Sequence, residues 1–472
     1  MEKYIINGGE TLCGKVRVHS AKNAVLPLLA ASVLTDEPVT LRHIPPINDV
    51  ENMLKILTEV GCVVKRQKDT AVIDSSNAVS HEIPARLTKE LRSSVFMLGS
   101  VLTRFHRAKI SYPGGCDIGL RPIDLHLSGL KRLGVEIVEK DGYIHCEAKR
   151  LTGAEILLDF PSVGATENIM LAAVKADGMT VIRNAAKEPE IVDLQRFLND
   201  MGANVHGAGG GTVVIEGVKR LHGVDYTPMG DRIEAGTHLI AAASCGGEIE
   251  VEGVFTENIA ALLHKLRENG CKIHTKNDKI ILSSDGRLKA VSLVETMPFP
   301  GFPTDMQAQY AALCCTAKGS TLVVENLFET RYRYAAELKR MGADVTVRGR
   351  SALIRGVEKL HGASVTASDL RGGAALVIAA LKADGQSSVL DLSHIDRGYA
   401  DFENKLRSLG VHSSDFRKAL PVFFPQRGLY SHTVSKSFLR SFSYLPKGHH
   451  TPAKAHNHIP PLKILSYKPY HL

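Results

Sequence analysis

Apolar and polar positions along this chain alternate in a pattern that recurs six times. A short signature marks each copy: Leu, two mostly polar residues, a further residue, Gly, then a small or apolar residue. It appears as LTEVGC (57–62), LKRLGV (130–135), LNDMGA (198–203), LRENGC (266–271), LKRMGA (338–343) and LRSLGV (406–411). The glycines at 61, 134, 202, 270, 342 and 410 are separated by 73, 68, 68, 72 and 68 residues, a spacing that marks internal repetition. Each copy reads as the last turn of an amphipathic helix, stopped by Gly in the left-handed position past its end. A strand start follows, as in CVV, VEIV and CKI. About 35 residues upstream lies a more apolar helix: AVLPLLAASVL, SVFMLGSVL, TENIMLAAV, GTHLIAAAS, MQAQYAALCC and GGAALVIAAL. These are Ala-rich nearly all round, as befits helices buried at the centre of a domain. Between the two helices stand β-like stretches such as MTVIRNA, EIEVEGV and TLVVENL. One repeat is therefore strand, buried helix, strand, surface helix, then two strands.

The pattern predicts an α/β protein of six βαβαββ repeats, three per domain. Repeats one to three occupy 22–229, and repeats four to six occupy 230–411. The connection DYTPMGDR (225–232) reads as a linker because of its Pro and Gly. The opening segment, 1–21, lies outside the first repeat and is expected to complete the last one, so the second domain comprises 1–21 and 230–411. The crevice between two such domains is the default site.

Composition narrows the setting. A chain of 472 residues suits about two to four domains, and 44% hydrophobic with 23% charged residues excludes wholesale disorder. The longest apolar run, around Ala24 to Leu34, falls short of a membrane span, and MEKYIINGGE lacks the pattern of a secretory leader. Eight cysteines without CxxC pairing point to reduced thiols in a cytoplasmic protein, not to disulfides or a zinc site. The net charge of +8 is local: residues 411–472 carry nine Lys and Arg against the single acid Asp415, and the rest is balanced. No nucleic-acid partner is therefore expected. The stretch 412–472 reads as a basic, atypical, disordered tail, with nine of 26 aromatics and seven of 20 histidines. A chain end without a selected role is favoured there over an anionic-surface tether or metal binding by His449, His450, His456 and His458.

The densest chemical motif is PGGCDIGLRPIDLH (113–126), a glycine-rich loop with Cys116 at its tip and Arg121 five residues on. A thiol near cations shifts toward the reactive thiolate. SAKNAVLP (20–27) sets Lys22 and Asn23 at the junction of the two predicted domains. FPGFPTDMQ (299–307) presents Asp305 at a helix start, either as an N-cap or as a functional carboxylate. Arg331, Arg371 and Arg397 stand at corresponding ends of repeats, and Arg92 and the turn PSVGAT (161–166) complete the set. One arginine alone is usually a surface ion pair. Several on loops entering buried helices suit a polyanionic substrate. GAGGGT (207–212) reads as a hairpin and not as a dinucleotide fingerprint, and no GxxxxGK[ST] motif occurs.

Taken together, the six repeats, SAKNA, PGGCDIGLRPIDLH, PSVGAT, FPTDMQAQ and DLRGGAA resemble the UDP-N-acetylglucosamine 1-carboxyvinyltransferases, enolpyruvyl transferases of peptidoglycan synthesis, from residue 1 to about 411. The resemblance implies a two-domain inside-out α/β barrel. It also implies transfer of an enolpyruvyl group from phosphoenolpyruvate to the 3′-hydroxyl of UDP-N-acetylglucosamine by addition–elimination, without metal or organic cofactor. On that resemblance Cys116 is the proton donor and Asp305 the base toward the sugar hydroxyl. Lys22, Arg121 and Arg397 hold phosphate, with Arg331 and Arg371 near the carboxylate. Asn23, Arg92, Arg121, Pro122, Ile123, Asp124, Leu125, Pro161, Ser162, Val163, Gly164, Asp305 and Leu327 contact the UDP-sugar. Tyr334 departs from the family pattern, which has His there. The sister transferase acting on shikimate 3-phosphate is the alternative enzyme, and a non-catalytic UDP-sugar sensor the alternative of another class. The cysteine loop argues against the first, and the retained Lys22, Cys116 and Asp305 against the second.

Overall fold

The computed structural model describes residues 2–114, 123–412 and 416–419. Among these residues helices and strands alternate largely as predicted, and they form six small sheets. The six repeat glycines all have positive φ, from 90° at Gly134 and Gly342 to 108° at Gly270. At Gly61 the need is direct: φ is 106°, and its N–H closes the helix Asn48–Val60.

The unit is clearest in the fifth repeat. Leu293–Glu295 pairs parallel with Ser320–Val324, and Ser351–Arg355 pairs antiparallel with both Ser320–Val324 and Asp344–Arg348. The third repeat has the same arrangement with Glu155–Leu157, Met179–Arg183, Asn204–His206 and Thr212–Glu216. The hairpin expected at GAGGGT is the turn between the last two of these strands. In the second repeat the sheet has three strands, and the place of the first is held by an isolated bridge from Glu82 to Lys109. None of the sheets closes on itself among the described residues, so the architecture is a set of open sheets backed by helices.

Three sequence expectations need correction. The segment 225–232 is more than a linker: Asp225–Tyr226 pairs parallel with Val39–Leu41 and supplies the first strand of the first repeat. The opening segment serves two repeats, since Lys3–Asn7 pairs with Gln386–Leu390 whereas Leu12–Arg17 pairs with Gly247–Glu252 in the fourth. The tail does not begin at 412, because Phe416–Ala419 pairs antiparallel with Lys3–Asn7 as the edge strand of the sixth repeat. That strand sits in the basic, aromatic-rich stretch, where composition masks it. Beyond it, 420–472 lie outside the described residues.

Buried apolar side chains form two clusters. One runs from Val25 to Leu221 and takes in Ala400, and the other joins Tyr4–Val18 to Ile233–Val411. At the centre of the first, the helices Lys22–Ala31, Phe96–Phe105 and Val163–Ala173 pack together. Arg232–Cys245, Gln307–Cys314 and Leu370–Lys382 do so in the second. Ala and Gly on these helices permit close approach: a Cβ at Gly99 would lie 2.4 Å from the Asn168 carbonyl oxygen. Among the described residues no helix is long and apolar enough to cross a membrane.

Candidate active site

Two chain segments cross side by side where the clusters meet. The Ala21 N–H donates to the Met229 carbonyl at 2.7 Å, and the Asp231 N–H donates to the His19 carbonyl at 2.8 Å. Asp231 caps the helix Arg232–Cys245 by accepting from the N–H groups of Ile233 and Glu234, and its other oxygen accepts from the Lys22 N–H at 3.2 Å. Alongside, Lys405 donates to both His19 Nδ1 and buried Glu234, which its charge helps hold down to about pKa 2 against the opposing effect of burial. The crossover fixes Lys22 and Asn23 at the start of their helix.

Asp305 lies in the short turn Thr304–Met306, ahead of the helix Gln307–Cys314. It does not cap that helix. Its Oδ1 accepts from Arg331 Nη2 at 2.9 Å, and its Oδ2 accepts from Asn23 Nδ2 at 3.3 Å and faces Arg371 at 3.6 Å. Burial by itself would raise the pKa of this carboxyl. The charges of Arg371 and Arg331, the Arg331 hydrogen bond and Lys22 outweigh burial and hold it well below the usual carboxylate range.

Both arginines are almost wholly buried, at 2% and 4% exposure. Arg331 lies against the Phe328 ring and Arg371 against the Tyr399 ring, at 5.6 and 5.4 Å. Arg331 Nε and Arg371 Nη1 have no hydrogen-bond partner among the described residues. An unpaired buried N–H on a cation is costly, so these donors are poised for an anion.

Lys22 and Arg397 meet on a residue that the sequence patterns do not reveal. Asp49, in the first turn of Asn48–Val60 and 3% exposed, accepts from Lys22 Nζ at 3.0 Å and from Arg397 Nε at 2.9 Å. Burial opposes its ionisation, but Lys22 and Arg397 prevail and lower its pKa. In sequence Asp49 is simply an acid in a helix's first turn, a favourable position for any carboxylate. Its pairing with Arg397 spans 348 residues and leaves no local signal.

The remaining sequence-predicted residues fall in neighbouring segments. Arg92 Nη1 donates to the Pro113 carbonyl at 3.1 Å, and the Gly114 N–H donates to the Thr88 carbonyl, so the entrance to the cysteine loop is anchored. Cys116, Arg121 and Pro122 lie outside the described residues. Ile123 is buried, Asp124 is exposed and Leu125 is partly buried, at the start of Asp124–Arg132. Pro161, Ser162, Val163 and Gly164 are partly exposed, and the Ser162 hydroxyl caps Val163–Ala173 through the Ala165 N–H. This turn abuts the Asp124–Arg132 helix, since a Cβ at Gly164 would stand 3.1 Å from the His126 ring. Leu327 is held by its N–H, which donates to Glu325 at 2.9 Å. Tyr334 is buried, and its hydroxyl donates to Gln307 Oε1 at 3.0 Å.

Comparison with known proteins follows this geometry. Residues 6–406 match the family model of EPSP synthase (3-phosphoshikimate 1-carboxyvinyltransferase). UDP-N-acetylglucosamine 1-carboxyvinyltransferase 2 of Caldanaerobacter subterraneus subsp. tengcongensis is 53% identical over 411 residues, 87% of this chain and 99% of that protein. UDP-N-acetylglucosamine 1-carboxyvinyltransferase 1 of Staphylococcus aureus is 47% identical over 87% of this chain and 98% of its own length. Among solved structures, the enolpyruvyl transferase NikO of Streptomyces tendae superposes with a TM-score of 0.79 at 26% identity, over 88% of this chain and 98% of that one. EPSP synthase of Acinetobacter baumannii shares the fold, with a TM-score of 0.69 at 16% identity over 89% of this chain and 100% of that one.

Proposed function

The chain belongs to the EPSP synthase family of enolpyruvyl transferases, and from that premise we propose that it moves the enolpyruvyl group of phosphoenolpyruvate to the 3′-hydroxyl of UDP-N-acetylglucosamine, releasing phosphate. The observation that carries this is the ionised Asp305 flanked by Arg331 and Arg371, each with a buried N–H that has no partner among the described residues. In this assignment those two arginines take the carboxylate of phosphoenolpyruvate, while Lys22, Arg397 and Arg121 take its phosphate. Asn23, Asp305 and the segments at Arg92, 121–125, 161–164 and Leu327 receive the UDP-sugar.

The charges then work in sequence. A carboxylate arriving beside Arg331 and Arg371 adds negative charge next to Asp305 and shares its counter-ions, so the proton affinity of Asp305 rises. Asp305 takes the proton of the sugar hydroxyl as its oxygen bonds to C2 of phosphoenolpyruvate, and Cys116 protonates C3. The tetrahedral adduct collapses when a C3 proton returns to the Cys116 thiolate and the C2–O bond to phosphate breaks, restoring the double bond, while the proton held by Asp305 departs with the phosphate. Fixed cations stabilise the anionic groups throughout, and both reactants are held in register. The protein's own side chains supply all these steps.

On this reading the product feeds peptidoglycan synthesis, and the enzyme acts in the cytoplasm in cell-wall biogenesis, cell shape and division and is a target of fosfomycin. Mass spectrometry tests the reaction: with both substrates present, the UDP-sugar should gain an enolpyruvyl ether that a control without phosphoenolpyruvate lacks. Unchanged UDP-sugar after prolonged incubation overturns the proposal.

A further inference from the structure

Asp305 and Arg331, joined by their own ion pair, sit on two segments: the proline-rich turn around 296–306 and the loop 325–331. One buried carboxylate ties both. Glu325, fully buried, follows the strand Ser320–Val324. Its Oε1 accepts from Thr296 Oγ1 at 2.9 Å, from the Leu327 N–H at 2.9 Å and from the Phe328 N–H at 3.1 Å. Its Oε2 accepts from Thr304 Oγ1 at 2.9 Å, one residue before Asp305. Thr296 Oγ1 in turn accepts from the Asn326 N–H at 2.9 Å.

Among the described residues the four donors to this carboxylate are neutral, two hydroxyls and two backbone N–H groups. The arrangement also divides the work between the two oxygens. Oε1 sets the loop whose Phe328 ring lies against Arg331, and Oε2 sets the turn that carries Asp305.

We propose, on the transferase reading above, that Glu325 is the positioning residue that fixes the Asp305–Arg331 pair, acting through Thr304 on one side and Leu327 and Phe328 on the other. It touches neither substrate. Its effect is to hold the base and the carboxylate-binding cation at their separation before substrates arrive, as preorganised sites require.

The experiment compares the full chain with Thr304→Val, Thr304→Ser, Glu325→Gln and the double variant Thr304→Val/Glu325→Gln. Thr304→Val removes only the bond to Oε2, so it avoids the risk that Glu325→Gln misfolds. Its kcat should fall about 10- to 100-fold, the scale of a small misplacement of a reacting group, with both KM values within about threefold. Thr304→Ser restores the hydroxyl and should restore kcat. The double variant should be no slower than Glu325→Gln alone, because Thr304 acts through that carboxylate. A lowered melting temperature with unchanged kcat in Thr304→Val, or losses that simply multiply, overturns the inference. An inactive wild-type chain would instead overturn the transferase reading.

Discussion

Replacing Asp49 by Asn probes the cation pair to which the proposed function assigns phosphate. The carboxylate faces Lys22 at 3.0 Å and Arg397 at 2.9 Å. At an effective dielectric of about 20, each contact is worth roughly 5–6 kcal/mol of gross attraction, most of which desolvation offsets. Breaking a buried pair by removing one partner costs about 3–5 kcal/mol. Lys22 and Arg397 side chains are 13% and 23% exposed, and Asn keeps one acceptor, so about 2–3 kcal/mol is expected here. The pH dependence has a definite sign. Unfolded, Asp49 titrates near about 3.9, and in the folded chain its pKa is lower. Its contribution is therefore fully present above about pH 4 and is lost as pH falls through the folded value. Urea titrations from pH 7 to pH 3 should show the gap between wild type and variant shrinking at the acid end. Inorganic phosphate should take the place of the lost carboxylate beside Lys22 and Arg397, so it should raise the melting temperature more in the variant than in the wild type. Equal stability at pH 7, a gap that widens on acidification, or equal phosphate shifts would refute the reasoning.

Arg397→Ala should weaken use of phosphoenolpyruvate by about 1.5–3 kcal/mol in kcat/KM while leaving UDP-sugar affinity nearly unchanged, as calorimetry on each substrate would show. Equal losses would make Arg397 a structural residue. Cys116→Asp should keep measurable turnover and Cys116→Ala should lose most of it, since general acid assistance is worth about 10² to 10⁴ in rate. Fosfomycin should alkylate Cys116 in the wild type, faster with UDP-sugar bound, and spare the Asp variant; labelling at Cys62 or Cys245 instead would remove Cys116 from the mechanism. A chain ending at residue 421 should melt like the full chain, whereas one ending at 412 should melt earlier. The shorter chain loses the strand Phe416–Ala419 and the Lys418 ion pairs to Glu2 and Asp396.

Much of the fold is readable because repetition and periodicity are local. The Gly that ends each surface helix must adopt a conformation other residues resist, so Gly61 or Gly270 announces its place directly. Buried helices such as Leu370–Lys382 declare themselves by being apolar on every side. Strands two or three residues long declare little: Asp225–Tyr226 looks like a linker, because its role comes from pairing with Val39–Leu41 and not from its own composition. The edge strand Phe416–Ala419 is equally silent.

The site divides in the same way. Lys22, Asn23, Asp305, Arg331, Arg371 and Arg397 stand in recognisable motifs, and the fold brings Asn23, Arg331 and Arg371 to Asp305. Asp49 and Glu325 hold those residues in place but stand in no motif. Each resembles an ordinary acid near an element's end, and only the tertiary arrangement shows what it accepts from.

Phosphate release from phosphoenolpyruvate, measured with UDP-N-acetylglucosamine and with shikimate 3-phosphate in parallel, tests the central claim most directly. Release that depends on the UDP-sugar and is absent with shikimate 3-phosphate is the predicted result. Release with shikimate 3-phosphate and none with the UDP-sugar would contradict it.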